Sequence, residues 1–398
     1  MGIMPARITP DQLLRHTLAA QCLDARSDDP DVVAMAGRVG GLHATDHLTP
    51  YLSLLARIED FRPEQLTAAW LRERRLDRRR VMRGTLHVVP TERLPVLGCA
   101  LAPRSGELPR EVAALGLDAS EERRVAEAIL AVLGASGPQT VAGLRKLVPA
   151  ELQRTLTDRY AGRYGVVTVV TGLLWDRGLL VQGIERPGPD GWRTAPVHYL
   201  RAADAFGDEV ASRLGGGLKP CDRAAADRSV ARWYFAAHGP ASAADWAWWS
   251  GLPASRAGPA LRSIAPELAE VEVVGRADRF LLPAAELDEL HERLDAPPAG
   301  VRVLPYEDNA LKGYRATRDR FFDPAGVAAE RAFNRFGEAL PTILVGGRIT
   351  GTWVWKERRS IAASLFAAPD GPARAAIEEE LARVAAFLGA SEVELRAG

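Results

Sequence analysis

The sequence predicts an α+β fold of tandem winged helix-turn-helix units followed by a strand-rich C-terminal segment. Three observations predict it. Helix-like segments lead into a β-branched strand or hairpin, and that order recurs along the chain. Gly137-Pro138-Gln139-Thr140 and Gly239-Pro240-Ala241-Ser242 are two helix openings of one form, about one hundred residues apart, a distance that fits tandem domains and not a solenoid. The 398 residues suffice for two or three packed units.

The elements follow in order. Residues 9–22 open on Thr9-Pro10-Asp11 and carry Leu13, Leu14 and Leu18 at helical spacing, a capped helix. Residues 31–39 read as a second helix. In a third, over 51–58, Thr49 is placed as N-cap and Pro50 takes the first position, where a missing N–H costs nothing. Phe61-Arg62-Pro63 begins another helix, through Trp70, and Val81 to Val89 reads as a strand. The plan then repeats. Residues 120–134 form a helix. Thr140 caps the next, with Val141, Leu144 and Leu147 on one face. Val166 to Arg177 forms a third, stopped by Gly178. A hairpin from Leu179 to Trp192 has Pro187-Gly-Pro-Asp-Gly191 at its tip.

A third round has a helix over 222–237, one from Ser242 through Trp249, a short one over 256–263, and strands Val271–Val274 and Phe280–Leu282. Beyond Val301, two apolar strands meet at Gly346-Gly347, a hairpin signal. An amphipathic helix over 372–388 and a strand over 392–396 end the chain. The expected units are residues 1–118, 119–205 and 222–300 as winged helices, and 301–398 as the C-terminal hairpin and helix segment.

Bulk properties exclude several classes. Basic and acidic residues balance at 51 each, so a basic face for nucleic acid must be local. The cysteines Cys22, Cys99 and Cys221 have neither zinc nor disulfide spacing, and fit a reducing cytosol. There is no secretory h-region and no long apolar run, so a cytoplasmic location without membrane contact is expected.

Two stretches can carry chemistry. Between the apolar helices around 31–39 and 51–58, residues 41–48 read as extended or irregular. Side chains two apart in extended chain face one way, so His43 and Thr45 offer a proton acceptor and a hydroxyl to one space. The other reading is a surface loop. His43, Asp46 and His47 are also metal-ligand types, but His-x-x-x-His needs a helix to converge, and the Thr-Pro start argues against one; no metal or cofactor is expected. The second stretch, Arg72 to Arg83, holds seven arginines against two acids. Beside the strand carrying Thr85 and His87, Arg78, Arg79, Arg80 and Arg83 would bind phosphates and make affinity salt-dependent. Trp246 and Trp249 are expected in the core. Trp353 and Trp355 give the last hairpin an aromatic face.

Met82-Arg-Gly-Thr-Leu-His-Val-Val89, Gly191-Trp-Arg-Thr-Ala195, Leu304-Pro-Tyr-Glu-Asp-Asn309 with Gly313-Tyr314-Arg315, and Gly346-Gly-Arg-Ile-Thr-Gly-Thr-Trp353 together resemble the winged-helix DNA glycosylases of the AlkZ and YcaQ type. The resemblance implies three tandem winged helix-turn-helix units curved around a concave DNA-binding face, to which Thr85, His87, Arg348 and Trp353 would contribute. It implies action on double-stranded DNA that carries alkylated purines, with excision of N7-alkylated or bulky genotoxin-adducted bases in repair or self-resistance; a monomer is expected. The family's catalytic motif, Gln-x-Gln or Gln-x-Asp after Gly-Leu, is here Gly41-Leu42-His43-Ala44-Thr45. His43 would position or activate water in glutamine's place, Thr45 would assist, and Asp46 would supply negative charge. Protonated His43 would repel the developing sugar cation, so activity should fall below a histidine pKa of about 6.5. The alternative is a non-enzymatic winged-helix DNA-binding protein, a regulator or a resistance protein that binds drug or adduct.

Overall fold

The structure, a computed structural model, describes residues 6–102, 108–158, 162–184, 186, 188, 190–214, 221–293, 299–323 and 327–397. The chain divides into two compact units. One is residues 63–227; the other joins residues 1–62 to 228–398. The expected boundary at 118 therefore falls inside the first of these, and residues 1–62 pack with chain more than 160 positions downstream.

In the discontinuous unit, helix Pro10–Ala20 starts with a full capping box: Thr9 accepts from the Gln12 amide and the Gln12 side chain accepts from Thr9 N–H. Each partner satisfies an otherwise orphaned donor of the first turn. Asp31 caps Val32–Arg38, and Ser242 caps Ala243–Ser250. Strands Ala6–Ile8, Leu268–Val273, Phe280–Pro283 and Ala241–Ser242 form one sheet in that order, with Ile8, Val271, Phe280 and Leu282 buried beneath it. A second sheet runs Val301–Leu304, Thr342–Val345, Arg348–Lys356, Ser360–Leu365, Glu392–Ala397. Its Gly346-Gly347 turn has both glycines at positive φ, 57° and 82°, the requirement of a two-residue hairpin. Helix Gly371–Leu388 connects the last two strands, which pair in parallel, and buries Ile377, Leu381, Val384 and Leu388. Each such aliphatic side chain contributes about 1.5–3 kcal/mol through burial. Trp246 and Trp249 lie in the core as expected.

In the continuous unit, helices Ala119–Ser136, Val141–Leu147 and Val166–Asp176 enclose a core of Val125, Ile129, Leu133, Leu144, Val170 and Leu174. Thr140 caps the middle helix through Gly143 N–H at 3.0 Å, and Gly178 follows the last at φ 80°. Two expectations are corrected. Strand Leu180–Gln182 pairs not within 179–192 but with His198–Arg201. Trp192 lies instead in the short turn Gly191–Arg193, and residues 187 and 189 of the proposed tip lie outside the described residues.

The arginine-rich stretch is itself a strand, Leu76–Arg80, antiparallel to Leu86–Pro90 with Arg79 opposite His87. Arg83 and Gly84, at φ 53° and 69°, turn the chain between them. One further expectation falls. Cys99 and Cys221 form a disulfide across 122 residues, with Cα atoms 6.1 Å apart. Only tertiary folding brings two such distant positions within bonding geometry.

Candidate active site

The site starts from a backbone bend. Gly40 and Gly41 have φ of 83° and 98°, a conformation that side-chain-bearing residues rarely adopt. A Cβ on Gly40 would also lie 3.2 Å from His238 Nε2 and 3.4 Å from Ala237 Cβ. The bend delivers the short strand Leu42–His43. Asn309 holds it from both sides. Its side-chain oxygen accepts from His43 N–H at 2.9 Å, and its amide donates to Val39 O at 3.2 Å.

His43 is 2% exposed. Its Nε2 lies 3.5 Å from Thr45 Oγ1, the shared orientation that extended chain predicts for positions two apart. The same nitrogen also faces a carboxylate the sequence reading did not single out. Glu307 Oε2 lies 3.8 Å from His43 Nε2 and 2.5 Å from Lys312 Nζ. Glu307 sits at φ 56°. Its Oε1 accepts from Ala339 N–H at 2.6 Å, and its own N–H donates to Ala339 O at 2.9 Å. Lys312 Nζ lies over the Trp248 ring, 5.4 Å from its centroid. An imidazole, a carboxylate and an ammonium are thus grouped out of water, where charges interact strongly.

The segment carrying Glu307 is pinned from below. Asp308 accepts from Arg57 at 2.7 and 2.9 Å, from Ser53 Oγ at 2.6 Å and from Ala310 N–H at 3.0 Å. Burial pushes this carboxyl up, but the Arg57 charge and the converging hydrogen bonds outweigh it and hold the carboxyl below its ordinary range. Thr49 serves the same segment. Contrary to the expected N-cap role, its hydroxyl donates to Tyr306 O at 2.9 Å, and helix Thr49–Leu55 begins without a side-chain cap. Beneath the bend, burial first and then the Arg320 and Arg57 charges depress His238 to about 3. It is a neutral packing group, with Gly313 left no room for a Cβ beside its Nδ1.

Asp46 and Thr45 are exposed. The Asp46 carboxylate accepts from Leu48 N–H at 2.9 Å, forming a local turn. Tyr306, half-buried, has its phenol pKa raised by burial first, then by a bond to Glu338 and by the charges of Glu307, Glu338 and Asp46.

The expected DNA-binding residues are not brought together as one exposed set. Arg78 and Arg79 are 7% and 5% exposed. Arg78 donates to Gln182 Oε1 at 3.2 Å; Arg79 donates to Leu180 O at 2.8 Å and to Trp175 O, and pairs with Asp77 at 2.6 Å. These two are corrected from surface cations to internal cross-links. Arg80 is exposed, 3.4 Å from Asp176, and Arg83 and Thr85 are half-buried. His87 is buried, its Nδ1 3.1 Å from Thr85 O. Trp353 is also corrected. It is 3% exposed and donates to Leu304 O at 2.9 Å, so it packs the sheet and offers no face to a base. Arg348 is half-buried and donates to Phe322 O and the Asp11 carboxylate. A cavity of about 290 Å³ beside Arg348, Phe366 and Ile377 has none of the His43 group in its lining. Among the described residues no cluster of metal-ligating side chains occurs, and no helix is long and apolar enough to cross a membrane.

Known proteins resemble the chain over most of its length. A family model described as DNA glycosylase AlkZ-like matches residues 36–387, a span that includes His43, Glu307 and Lys312. No curated protein matches the chain. Among solved structures, Streptomyces sahachiroi DNA glycosylase AlkZ is similar with a TM-score of 0.74 and 21% identity, over 98% of this chain and 100% of that one. At that identity the likeness speaks for the fold.

Proposed function

The chain belongs to the AlkZ-like DNA glycosylase family, and we propose that it hydrolyses the N-glycosidic bond of an N7-alkylated or bulky-adducted purine in duplex DNA. The observation that carries this reading is the grouping of His43 with Thr45 at 3.5 Å and Glu307 at 3.8 Å. An N7-alkylated purine is cationic and leaves readily as the neutral base. Catalysis then needs a held water and a stabilised sugar cation. Neutral His43 accepts the proton of the water that attacks C1′ as the C1′–N9 bond breaks, and Thr45 holds that water. Glu307 orients the imidazole and stabilises it once protonated, while Lys312 offsets the carboxylate before the reaction. Asp46 keeps its turn and adds outer negative charge.

The test is single-turnover release of N7-alkylguanine from duplex DNA across pH. His43→Ala should lose about a hundred- to ten-thousand-fold with DNA affinity unchanged, since the loss is confined to the transition state. Thr45→Ala should cost less, because a second water replaces a hydroxyl in part. His43→Gln separates two roles. Partial rescue means water positioning; activity as poor as alanine, with a wild-type rate that rises as His43 loses its proton, means proton acceptance. Wild-type protein that binds duplex and releases no base, from small and bulky adducts alike, would sink the enzymatic reading. It would establish the alternative, a non-enzymatic DNA-binding module.

A further inference from the structure

The turn between Phe333 and Ala339 adjoins the His43 group and presents Phe336 at 71% exposure. An apolar ring that open to water is unfavourable by itself, yet the turn's hydrogen bonds present it outward. Asn334 Oδ1 accepts from Phe336 N–H at 2.9 Å and Glu338 N–H at 3.1 Å, and Asn334 O accepts from Gly337 N–H at 2.8 Å. Phe333 and Ala339 bridge at the base, and Ala339 is the residue whose N–H meets Glu307.

Cations surround this turn. The Arg335 guanidinium lies 4.6 Å from the Phe336 centroid, and that of Arg318 4.3 Å from Phe333. Arg315 lies so close to Gly337 that a Cβ there would fall 2.7 Å from Nη1. The Arg318 pKa is lowered by burial first and then by the Arg315 charge, with Glu330 opposing. The carboxylate within the turn, Glu338, is turned to the Asn334 amide at 2.6 Å and to the Tyr306 hydroxyl. A face with an exposed aromatic ring and surplus guanidinium charge fits a polyanion that also offers flat apolar surfaces, which is the chemistry of a nucleic acid.

We infer that Phe336 is a wedge that inserts into the base stack of duplex DNA beside the lesion, with Arg335 and Arg315 on the flanking phosphates. The inference rests on the glycosylase reading for its partner and deepens it. The wedge occupies the space opened at the damaged step, and the two hydrogen bonds between Glu307 and Ala339 place it at a set distance from His43. An abasic duplex, already unstacked at one position, is the preferred partner, because insertion there costs least unstacking.

The experiment measures binding of the full chain to a duplex holding a tetrahydrofuran abasic analogue with 2-aminopurine beside it. Phe336→Ala should bind about ten- to a hundredfold more weakly, the range for loss of one base–aromatic stack. It should also abolish the 2-aminopurine fluorescence rise, with thermal stability and the salt slope as in wild type. Phe336→Trp should restore both affinity and signal. Arg335→Gln should leave the signal and lower the slope of log K against log salt by about 0.9. Wild-type affinity and fluorescence in Phe336→Ala would overturn the wedge. So would a change in sedimentation with no change on DNA, which would assign the ring to a second copy of the chain. Phe336-dependent binding without base release leaves the wedge standing and removes the glycosylase reading; base release with indifferent Phe336 does the reverse.

Discussion

Arg57–Asp308 and Arg79–Asp77 are buried guanidinium–carboxylate pairs, one in each compact unit, and their carboxyls are shifted in opposite directions. Asp308 is held below the ordinary range, although burial acts against it. Asp77 is raised, because burial outweighs the Arg79 and Arg74 charges. The difference lies in the number of donors. Asp308 receives both Arg57 nitrogens, Ser53 and a backbone amide. Asp77 receives only Arg79 and the Arg78 amide, while both guanidiniums also donate to carbonyls, Arg57 to those of Gln21 and Ser53 and Arg79 to those of Trp175 and Leu180. Saturation with donors, not the presence of a counter-ion, decides whether a buried charge is welcome. The saturated pair is the one beneath the His43 site, where a fixed geometry matters.

The largest expected effect comes from breaking the saturated pair. Asp308→Ala should destabilise the protein by about 3–5 kcal/mol, the cost of leaving the Arg57 charge buried with only the Gln21 and Ser53 carbonyls and no carboxylate. Urea unfolding measures it, and a loss near 1 kcal/mol would show that Arg57 finds other partners. Asp77→Asn should cost only about 1 kcal/mol, a single hydrogen bond's worth, because burial already disfavours the charged Asp77 carboxylate.

The same contrast has a pH signature of opposite sign. Asp308 has a depressed folded pKa, so its stabilisation is present above the unfolded value of about 3.9 and is lost as pH falls through the folded pKa. Asp77 has a raised folded pKa. Its contribution is fully present below that unfolded value and is lost as pH rises through the folded one. The stability difference between wild type and Asp308→Asn should therefore shrink on acidification, while that between wild type and Asp77→Asn should move in wild type's favour. Parallel curves would refute the assignment.

The smallest effect tests the arginine hairpin. Replacing Arg78, Arg79 and Arg80 together by Gln should destabilise the protein, yet change the DNA salt slope by no more than about 0.9, the share of one phosphate contact. That contact belongs to exposed Arg80. A slope change near threefold larger would return the buried pair to the interface. Arg80→Gln alone should alter stability by no more than about 0.5 kcal/mol.

The sequence by itself determined what depends on neighbours a few residues away. Thr9, Thr140 and Ser242 are helix caps because a side-chain oxygen reaches an amide three positions on. Gly346-Gly347 is a turn because both positions need positive φ, and His43 and Thr45 share a face because extended chain alternates. Burial and long-range pairing were decided by tertiary structure. Seven clustered arginines looked like one surface, but packing on both faces of the strand buried the adjacent Arg78 and Arg79, where the Gln182 side chain meets the first and carbonyls and Asp77 the second. Asn309 meets His43 across 266 residues, and Glu307 and Lys312 arrive with it. The phrase that holds Glu307 and Asn309 was visible as a family resemblance, but no local period or spacing ties it to His43. Capping and turn chemistry are short-range and leave a local pattern; which charges are desolvated, and beside which partner, depends on segments that meet only once the chain has folded.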